Sequence, residues 1–225
     1  MRINDDLTQP VIERGSTKAW VPSPAPGVER RMLFRIGEEK ARATSIVRYI
    51  PGSAFDRHVH TGGEEFLVLD GVFQDDQGDY PAGSYVRNPP GSSHAPAAKE
   101  GATIFVRLWQ FRAADSSHVV RLPGEGDPVP PREGAATARV LFDDEHEQVR
   151  LEEWTANEQV HVENSKGLEL LVISGTIIVD GEELLPQDWV RLPPGLHLEA
   201  AIGDLGARVW IKLAPLLHDE VCSFQ

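Results

Sequence analysis

The chain has 225 residues, a formal net charge of −13 at pH 7, 40% hydrophobic residues and 25% charged residues. That length allows one large domain or two domains of about 100 to 120 residues, and the composition is that of a folded protein rather than a disordered one. The negative charge argues against nucleic acid or an anionic membrane as a partner, because both would repel the chain.

The N-terminal segment and the single cysteine predict the compartment. Residues 1–6 contain neither the basic start nor the apolar stretch of a signal peptide. The apolar runs 66–69 and 170–173 are far shorter than the roughly 20 residues of a membrane helix. Cys222 is the only cysteine, which excludes an internal disulfide, and we expect it to be an inert thiol. A cytoplasmic protein is therefore expected.

The first half of the chain predicts an extended arm followed by short strands. Residues 1–27 end in a proline-rich run and are expected to pack as an arm across a neighbouring sheet. Four runs rich in β-branched or aromatic residues follow, at 44–49, 65–69, 84–87 and 103–111. No stretch shows a sustained helical period. Many short antiparallel strands in about 100 residues predict an all-β jelly-roll barrel, whose interior can hold a ligand.

A cluster of histidines and one glutamate within these strands predicts a metal site. His58 and His60 are two residues apart, so on a strand both point to one face. Glu64 begins the next apolar strand, and His94 follows a tight Pro-Pro-Gly turn that can place it opposite. Three imidazoles and a carboxylate suit one divalent metal, with zinc as the first expectation and iron, manganese or nickel as alternatives.

Some neighbouring residues leave alternatives open. Glu65 could replace Glu64 as the ligand, although the six-residue step to Gly71 favours Glu64. The histidines could also be ordinary surface or core residues. An acidic loop with Asp75, Asp76 and Asp79 is predicted to be a solvated turn, with a second metal site as the alternative. The polar residues expected to line a pocket beside the metal are Tyr85, Arg87 and Arg107.

The spacing of these residues resembles the two cupin motifs. Nine positions carry the resemblance: Gly52, His58, His60, Glu64, Gly71, Gly83, Pro89, Gly91 and His94. The amino-acid sequence of residues 58–71 and 80–94 is similar to that of the ChrR-type cupin. In that family the cupin is the zinc-binding C-terminal half of an anti-sigma factor. Ala98 stands where the second motif usually ends in Asn. Relatives of this cupin type include a non-haem iron enzyme that cleaves β-diketones with dioxygen.

The chain then repeats itself, which predicts two domains. Segments 68–71 and 87–91 resemble 172–175 and 191–195, each at an offset of 104 residues. Two further pairs, 104–109 with 209–213 and 31–34 with 139–142, keep the same order. The run 122–131 is rich in Pro, Gly and charge and reads as a linker. We predict a bicupin with domains 1–120, including the arm, and 121–225.

The second copy keeps the turns but has lost the ligands. At an offset of 104, Val162, Asn164 and Leu168 replace His58, His60 and Glu64. Polar residues that a one-residue shift could bring inward are His161, Glu163, Glu169 and His197. Such a slip reverses the face of a strand. We therefore expect a structural barrel or an organic-ligand pocket here, with a second metal as the weaker alternative.

Two functions follow from the resemblance. The first is a regulatory or sensory metal-binding module with a protein partner, which for the ChrR type is a sigma factor. This chain lacks the helical His/Cys zinc domain that holds the sigma factor in that family, and has a second cupin instead. The second is a metal-dependent dioxygenase acting on a small dicarbonyl-type compound. A small-molecule ligand and a homodimer are further expectations.

Overall fold

The computed structural model describes residues 1–217 and 221–222. These residues form 22 β-strands and no helix, and the strands pair antiparallel. The predicted all-β jelly-roll class is confirmed. Within the same residues there is accordingly no apolar helix long enough to cross a membrane.

The chain divides into two compact units. Of the described residues, unit 1 comprises 1–5, 19–124, 217 and 221–222, and unit 2 comprises 6–18 and 125–216. Residues 218–220 and 223–225, which fall within the predicted second domain, lie outside the described part. The N-terminal arm is thus shared, because its first residues pair with unit 1 while residues 11–13 add a strand to unit 2.

Unit 1 contains thirteen of the strands in the described chain. They are β1 (Arg2–Ile3), β3 (Val21–Pro22), β4 (Val28–Gly37), β5 (Ala41–Tyr49), β6 (Ser53–Ala54), β7 (His58–His60), β8 (Glu64–Gln74), β9 (Asp79–Pro81), β10 (Tyr85–Asn88), β11 (Ser92–His94), β12 (Ala97–Ala98), β13 (Ala102–Leu108) and β14 (Val119–Arg121). The main sheet has the order β1-β4-β5-β13-β8-β10-β14, and β7 pairs with β11 in a small second sheet.

Unit 2 contains the other strands. They are β2 (Val11–Glu13), β15 (Asp127–Pro128), β16 (Ala135–Asp143), β17 (Gln148–Trp154), β18 (Gln159–Val162), β19 (Leu168–Val179), β20 (Glu182–Leu184), β21 (Trp189–Leu192) and β22 (Leu198–Leu213). Their order is β15-β16-β17-β22-β19-β21-β2, which repeats the path of unit 1 with β22 in the place of β13.

The strand registers of the two units correspond residue by residue. Glu64 lies opposite Asn88 and Leu108, and Leu168 lies opposite Leu192 and Leu213. Both sheets also share a position within a long strand, β8 or β19, that only glycine fits. Gly71 and Gly175 have φ values of +70° and +72°, and a Cβ there would lie 2.2 and 1.9 Å from a neighbouring carbonyl oxygen. The repeat in sequence is therefore a repeat in backbone geometry.

The interiors of the two units differ in composition. One core cluster of unit 1 is partly aromatic, with Phe66, Phe73 and Tyr80 packed beside Val86 and Ile104. A core cluster of unit 2 is mostly aliphatic and continues through three of the four positions that correspond to the predicted metal ligands of unit 1. It includes Val160, Val162, Leu168, Leu170, Val190, Leu192, Leu198 and Ile211. In unit 2, apolar side chains thus fill the space where unit 1 has the predicted metal ligands.

Candidate metal centre

Three histidines converge on the paired strands β7 and β11. His94 lies directly opposite His58, and His60 is two residues further along β7. Directly opposed residues and residues i and i+2 share one face of a sheet, so all three rings lie together. Their centroids are 4.8–5.2 Å apart, and one ring nitrogen of each lies within 4.8 Å of the others. The pairing of the two strands brings together ligands that are 34 residues apart.

Glu64, rather than Glu65, faces these histidines. The Oε2 of Glu64 lies 3.5 Å from the Nε2 of His60 and 3.6 Å from the Nε2 of His94. Asn88, its partner across the sheet, donates to the same oxygen at 3.3 Å. Glu65 points to the other face, where Tyr85 and Arg107 each donate to its carboxylate at 2.6 Å. The alternation of the strand thus separates the two carboxylates.

Hydrogen bonds on the far side of two rings fix their orientation. The Nδ1 of His58 lies 3.1 Å from the carbonyl oxygen of Asp56, and the Nδ1 of His94 lies 3.0 Å from a carboxylate oxygen of Asp75. Both partners can only accept, so each Nδ1 carries the hydrogen and each Nε2 offers a lone pair. This is the usual arrangement around a histidine that binds metal through Nε2.

The donor set fits a divalent metal ion. With metal–donor bonds of about 2.1 Å, neighbouring donors in a coordination shell lie about 3.0–3.4 Å apart. The Nε2 atoms of His60 and His94 are 2.9 Å apart, and Glu64 lies 3.5 and 3.6 Å from them. Three imidazole nitrogens and one carboxylate oxygen suit zinc, iron, manganese or nickel.

The electrostatics of the site separate its histidines. Burial lowers the pKa of His60, against the opposing charge of Glu64. Burial would also lower the pKa of His94, but its hydrogen bond to Asp75 and the charge of Glu64 raise that pKa overall. Burial would raise the pKa of Asp75, yet the hydrogen bond with His94 and a backbone amide lower it. Asp75 is therefore an ionised carboxylate that holds the His94 ring.

The role of Asp75 differs from the sequence-based expectation. The loop was expected to be a solvated acidic turn, and Asp76 and Asp79 are indeed exposed. The side chain of Asp75 is only 3% exposed. Its Oδ1 accepts from the amides of Gln77 and Gly78, which forms the turn, while Oδ2 reaches His94. The sequence predicts the turn but not the hydrogen bond between Asp75 and His94, because the loop and His94 come together only in the folded barrel.

We expect Asp75→Ala to weaken zinc(II) binding about 10–100-fold, the usual effect of removing a carboxylate that orients a ligand histidine. The measurement is chelator competition on protein that has been stripped and reloaded with zinc(II). Asp76→Ala is the matched control, since its neighbouring carboxylate binds Arg57 and a backbone amide instead of a histidine. Equal affinities for the two variants would contradict the positioning role.

A cavity of about 280 Å³ opens onto the candidate ligands His58 and Glu64. Its walls come from β4, β5 and β13, and its polar side chains include Arg30, Arg35 and Tyr49. Burial, and then the charge of Glu64, raise the pKa of Tyr49. The phenol therefore keeps its proton and can donate a hydrogen bond into the cavity.

The three expected pocket residues lie elsewhere. None of Tyr85, Arg87 and Arg107 lines this cavity. Tyr85 and Arg107 bind Glu65 on the opposite face, and Arg87 donates to Asp115 at 2.7 Å. Their side chains are almost fully buried. Sequence reasoning placed them near the metal in the chain but could not assign the face of the sheet, and it missed Arg30 and Arg35 because they precede both motifs.

The second group of candidate ligands is divided between the surface and the interior of unit 2. His161, Glu163 and His197 lie together, with ligand atoms within 4.8 Å, but all three are exposed. His161 bridges Glu199 and Glu163, and the hydrogen bonds that its ring donates to these carboxylates raise its pKa. Glu169 does not join them: it is 4% exposed on β19, opposite Arg191 and Lys212.

The interior positions that match the first site are apolar or structural. Val162 lies opposite Leu198, just as His58 lies opposite His94. Leu168 replaces Glu64. Asn164 replaces His60, and its side-chain amide donates to the carbonyls of Leu192, Pro193 and Leu196. The amide and carbonyl of Asn164 therefore stabilise a turn, and the interior of this barrel offers no group of metal ligands among the described residues.

The fold is of the cupin type, and the N-terminal half carries a cupin-like domain. Residues 8–112 match the family model described as the ChrR cupin-like domain. No curated protein matches the chain significantly.

Solved structures extend the similarity in fold to the whole chain. A protein of Pseudomonas aeruginosa described as a candidate glyoxylate-induced protein is 13% identical. Its TM-score is 0.74, over 100% of this chain and 94% of that one. A candidate dioxygenase from Nostoc punctiforme is 15% identical, with a TM-score of 0.69 over 97% and 87%. The pirin YhhW of Escherichia coli, in complex with nickel(II), is 12% identical, with a TM-score of 0.67 over 92% and 100%. At these identities the similarity is one of fold.

Proposed function

We propose that this chain is a bicupin that holds one divalent metal in its N-terminal barrel and uses it to transform a small molecule, as a metal-dependent dioxygenase. The proposed ligands are His58, His60, Glu64 and His94. The observation that carries the proposal is the cavity beside His58 and Glu64, since a metal that only stabilises the fold needs no adjoining space for a ligand.

The chemistry of the site supports this choice. Four protein donors close a tetrahedral zinc site but leave two positions on an octahedral iron or manganese. A bound redox-active metal supplies the means to activate dioxygen or an enolised substrate. The chain's own groups would orient the substrate: Tyr49 can donate a hydrogen bond, and the apolar walls exclude water from it. A small dicarbonyl-type compound remains the proposed substrate class.

The test is oxygen uptake by protein loaded with iron(II), using a panel of small dicarbonyl and enolisable compounds. We expect substrate-dependent consumption of dioxygen with iron(II) and none with zinc(II). His94→Ala should abolish this consumption, whereas His197→Ala, an exposed histidine of unit 2, should leave it unchanged. Uptake that survives in His94→Ala would contradict a reaction at this site.

The match of residues 8–112 to the ChrR cupin-like domain favours a second candidate, a regulatory metal-binding module. In that case the site would signal through a protein partner, and we would expect no iron-dependent oxygen uptake. Metal removal or an oxidant would instead change the association with that partner. Co-purification from native cells with and without chelator distinguishes this candidate from the enzyme.

A further inference from the structure

Two arginines of β4 line the cavity of unit 1 because of a β-bulge. Along β4 and β5, Arg30 lies opposite Val47, and Arg35 lies opposite Ala43. Residues five apart on a regular strand face opposite sides. The register shift between Met32 and Phe34 reverses the alternation, so both guanidinium groups reach the same cavity.

The positive charge of these arginines is only weakly matched by the protein. Arg35 is 4% exposed and donates to the backbone carbonyl of Glu38. Arg30 donates at 3.3 Å to Glu39, a carboxylate that is itself 67% exposed and therefore well solvated. Within residues 1–217 and 221–222, the buried Nε of Arg30 has no hydrogen-bond partner. A buried donor nitrogen of a charged group, left without an acceptor beside a cavity, is a place where an anion can bind.

Unit 2 shows how a barrel of the same fold pairs arginines with a carboxylate of its own chain. Glu152 of β17 lies opposite Val209, and its counterpart Val47 of β5 lies opposite Ile104. Glu152 is 0% exposed, and Arg132 and Arg150 each bind its carboxylate at 2.8 Å. Unit 1 has valine at this position, and its cavity lies there instead. Unit 1 therefore has no carboxylate at the position that Glu152 occupies in unit 2.

The other walls of the cavity indicate the chemical character of the rest of the ligand. They are largely apolar and include Val28, Val47, Phe55, Val106 and Leu108. A cavity of about 150 Å³ accommodates benzene, so 280 Å³ has room for roughly a dozen non-hydrogen atoms. Such a space suits a ring or short branched chain that carries one anionic group.

We propose that the N-terminal cavity binds a small organic carboxylate, whose carboxylate pairs with Arg30 and Arg35 and whose apolar part lies toward His58 and Glu64. This inference rests on the proposed function for the use made of the ligand, and it narrows the substrate to a carboxylate-bearing compound. Binding itself requires neither the metal nor dioxygen, which allows it to be tested separately.

The first experiment measures calorimetric binding of phenylacetate and of phenylacetamide, its neutral analogue, to chelator-treated full-length protein. We expect saturable binding of phenylacetate and at least about tenfold weaker binding of the amide, since a hydrogen bond to a charged group contributes about 1.5–3 kcal/mol. Arg30→Met and Arg35→Met should each weaken phenylacetate binding by a similar factor. Arg48→Met is the control, because that side chain binds Glu29 and lies over Trp20.

A second pair of variants keeps the proposal testable if an arginine variant folds poorly. Val47→Glu introduces beside Arg30 the carboxylate that unit 2 already has, and Val47→Gln adds the same bulk without charge. We expect Val47→Glu to reduce phenylacetate binding at least about tenfold more than Val47→Gln does. Their thermal unfolding shows whether both remain folded.

Four outcomes would overturn the inference, and three of them are comparisons between ligands or variants. They are equal binding of acid and amide, unchanged binding in Arg30→Met and Arg35→Met, and equal loss in the two Val47 variants. No detectable binding of phenylacetate at millimolar concentration would also overturn it. These results leave metal content and oxygen uptake untouched, so failure here differs from failure of the proposed function.

Discussion

His58→Ala combined with His60→Ala is expected to remove the bound metal completely. Both rings belong to the group of donors on β7 and β11, and their loss leaves only His94 and Glu64. Two protein donors rarely retain a divalent metal against a chelator, and structural or catalytic sites use three or four. The measurement is the metal content per chain after dialysis against a weak chelator, with zinc(II), iron(II), manganese(II) and nickel(II) loaded in turn.

The chain contains a matched control for this experiment. His161→Ala combined with His197→Ala removes two histidines of unit 2 whose ring centroids are 5.5 Å apart. This double variant removes the same number and type of residue as the first one. These rings are exposed, and their carboxylate neighbours Glu163 and Glu199 are well solvated. We therefore expect this variant to keep the full metal content. One equivalent retained without His58 and His60, but lost without His161 and His197, would assign the metal to unit 2.

Glu152→Ala is expected to lower the free energy of unfolding of unit 2 by about 3–5 kcal/mol, the usual cost of breaking a buried ion pair by removing one partner. The carboxylate is fully buried and binds Arg132 and Arg150, and Trp154 also donates to it at 2.8 Å. Its loss leaves two guanidinium groups without their counter-charge and the indole of Trp154 without this acceptor. Urea unfolding followed by tryptophan fluorescence measures the change.

Glu153→Ala supplies the control for that measurement. Glu153 is the next residue of β17, so its side chain lies on the opposite, exposed face, where it accepts a hydrogen bond from Thr137. Its removal should change the free energy of unfolding by less than about 0.5 kcal/mol. Similar destabilisation by the two variants would mean that the ion cluster in the barrel is not what stabilises unit 2.

The spacing of residues in the chain was enough to predict four candidate ligands, because each depends on a local rule. His58 and His60 follow from alternation on one strand, and the six-residue step to Gly71 favoured Glu64 over Glu65. His94 follows from a turn that glycine and proline define. The structure brings these four side chains together. The metal itself stays a prediction, which the metal content of the His58→Ala, His60→Ala variant tests.

The expectations that depended on distant packing fared differently. Asp75 was interpreted as part of a solvated loop, yet it holds His94 through a buried hydrogen bond. Tyr85, Arg87 and Arg107 were expected beside the metal, yet they form buried polar contacts away from the cavity. Alternation gives the relative face of neighbouring residues, but the sequence does not say which face of a strand lies inside the barrel.

The sequence by itself determined the all-β fold, the internal repeat and the candidate ligands. The fold and the ligands depend on short spacings and on turns marked by glycine and proline, and the repeat depends on segments that recur in the same order. The tertiary structure alone decided that unit 1 has a cavity and that unit 2 fills the matching space. The bulge in β4 that directs Arg35 inward, and the pairing of Arg132 and Arg150 with Glu152, have no local signature. Both require strands far apart in the chain to be in register, and only the folded sheet sets that register.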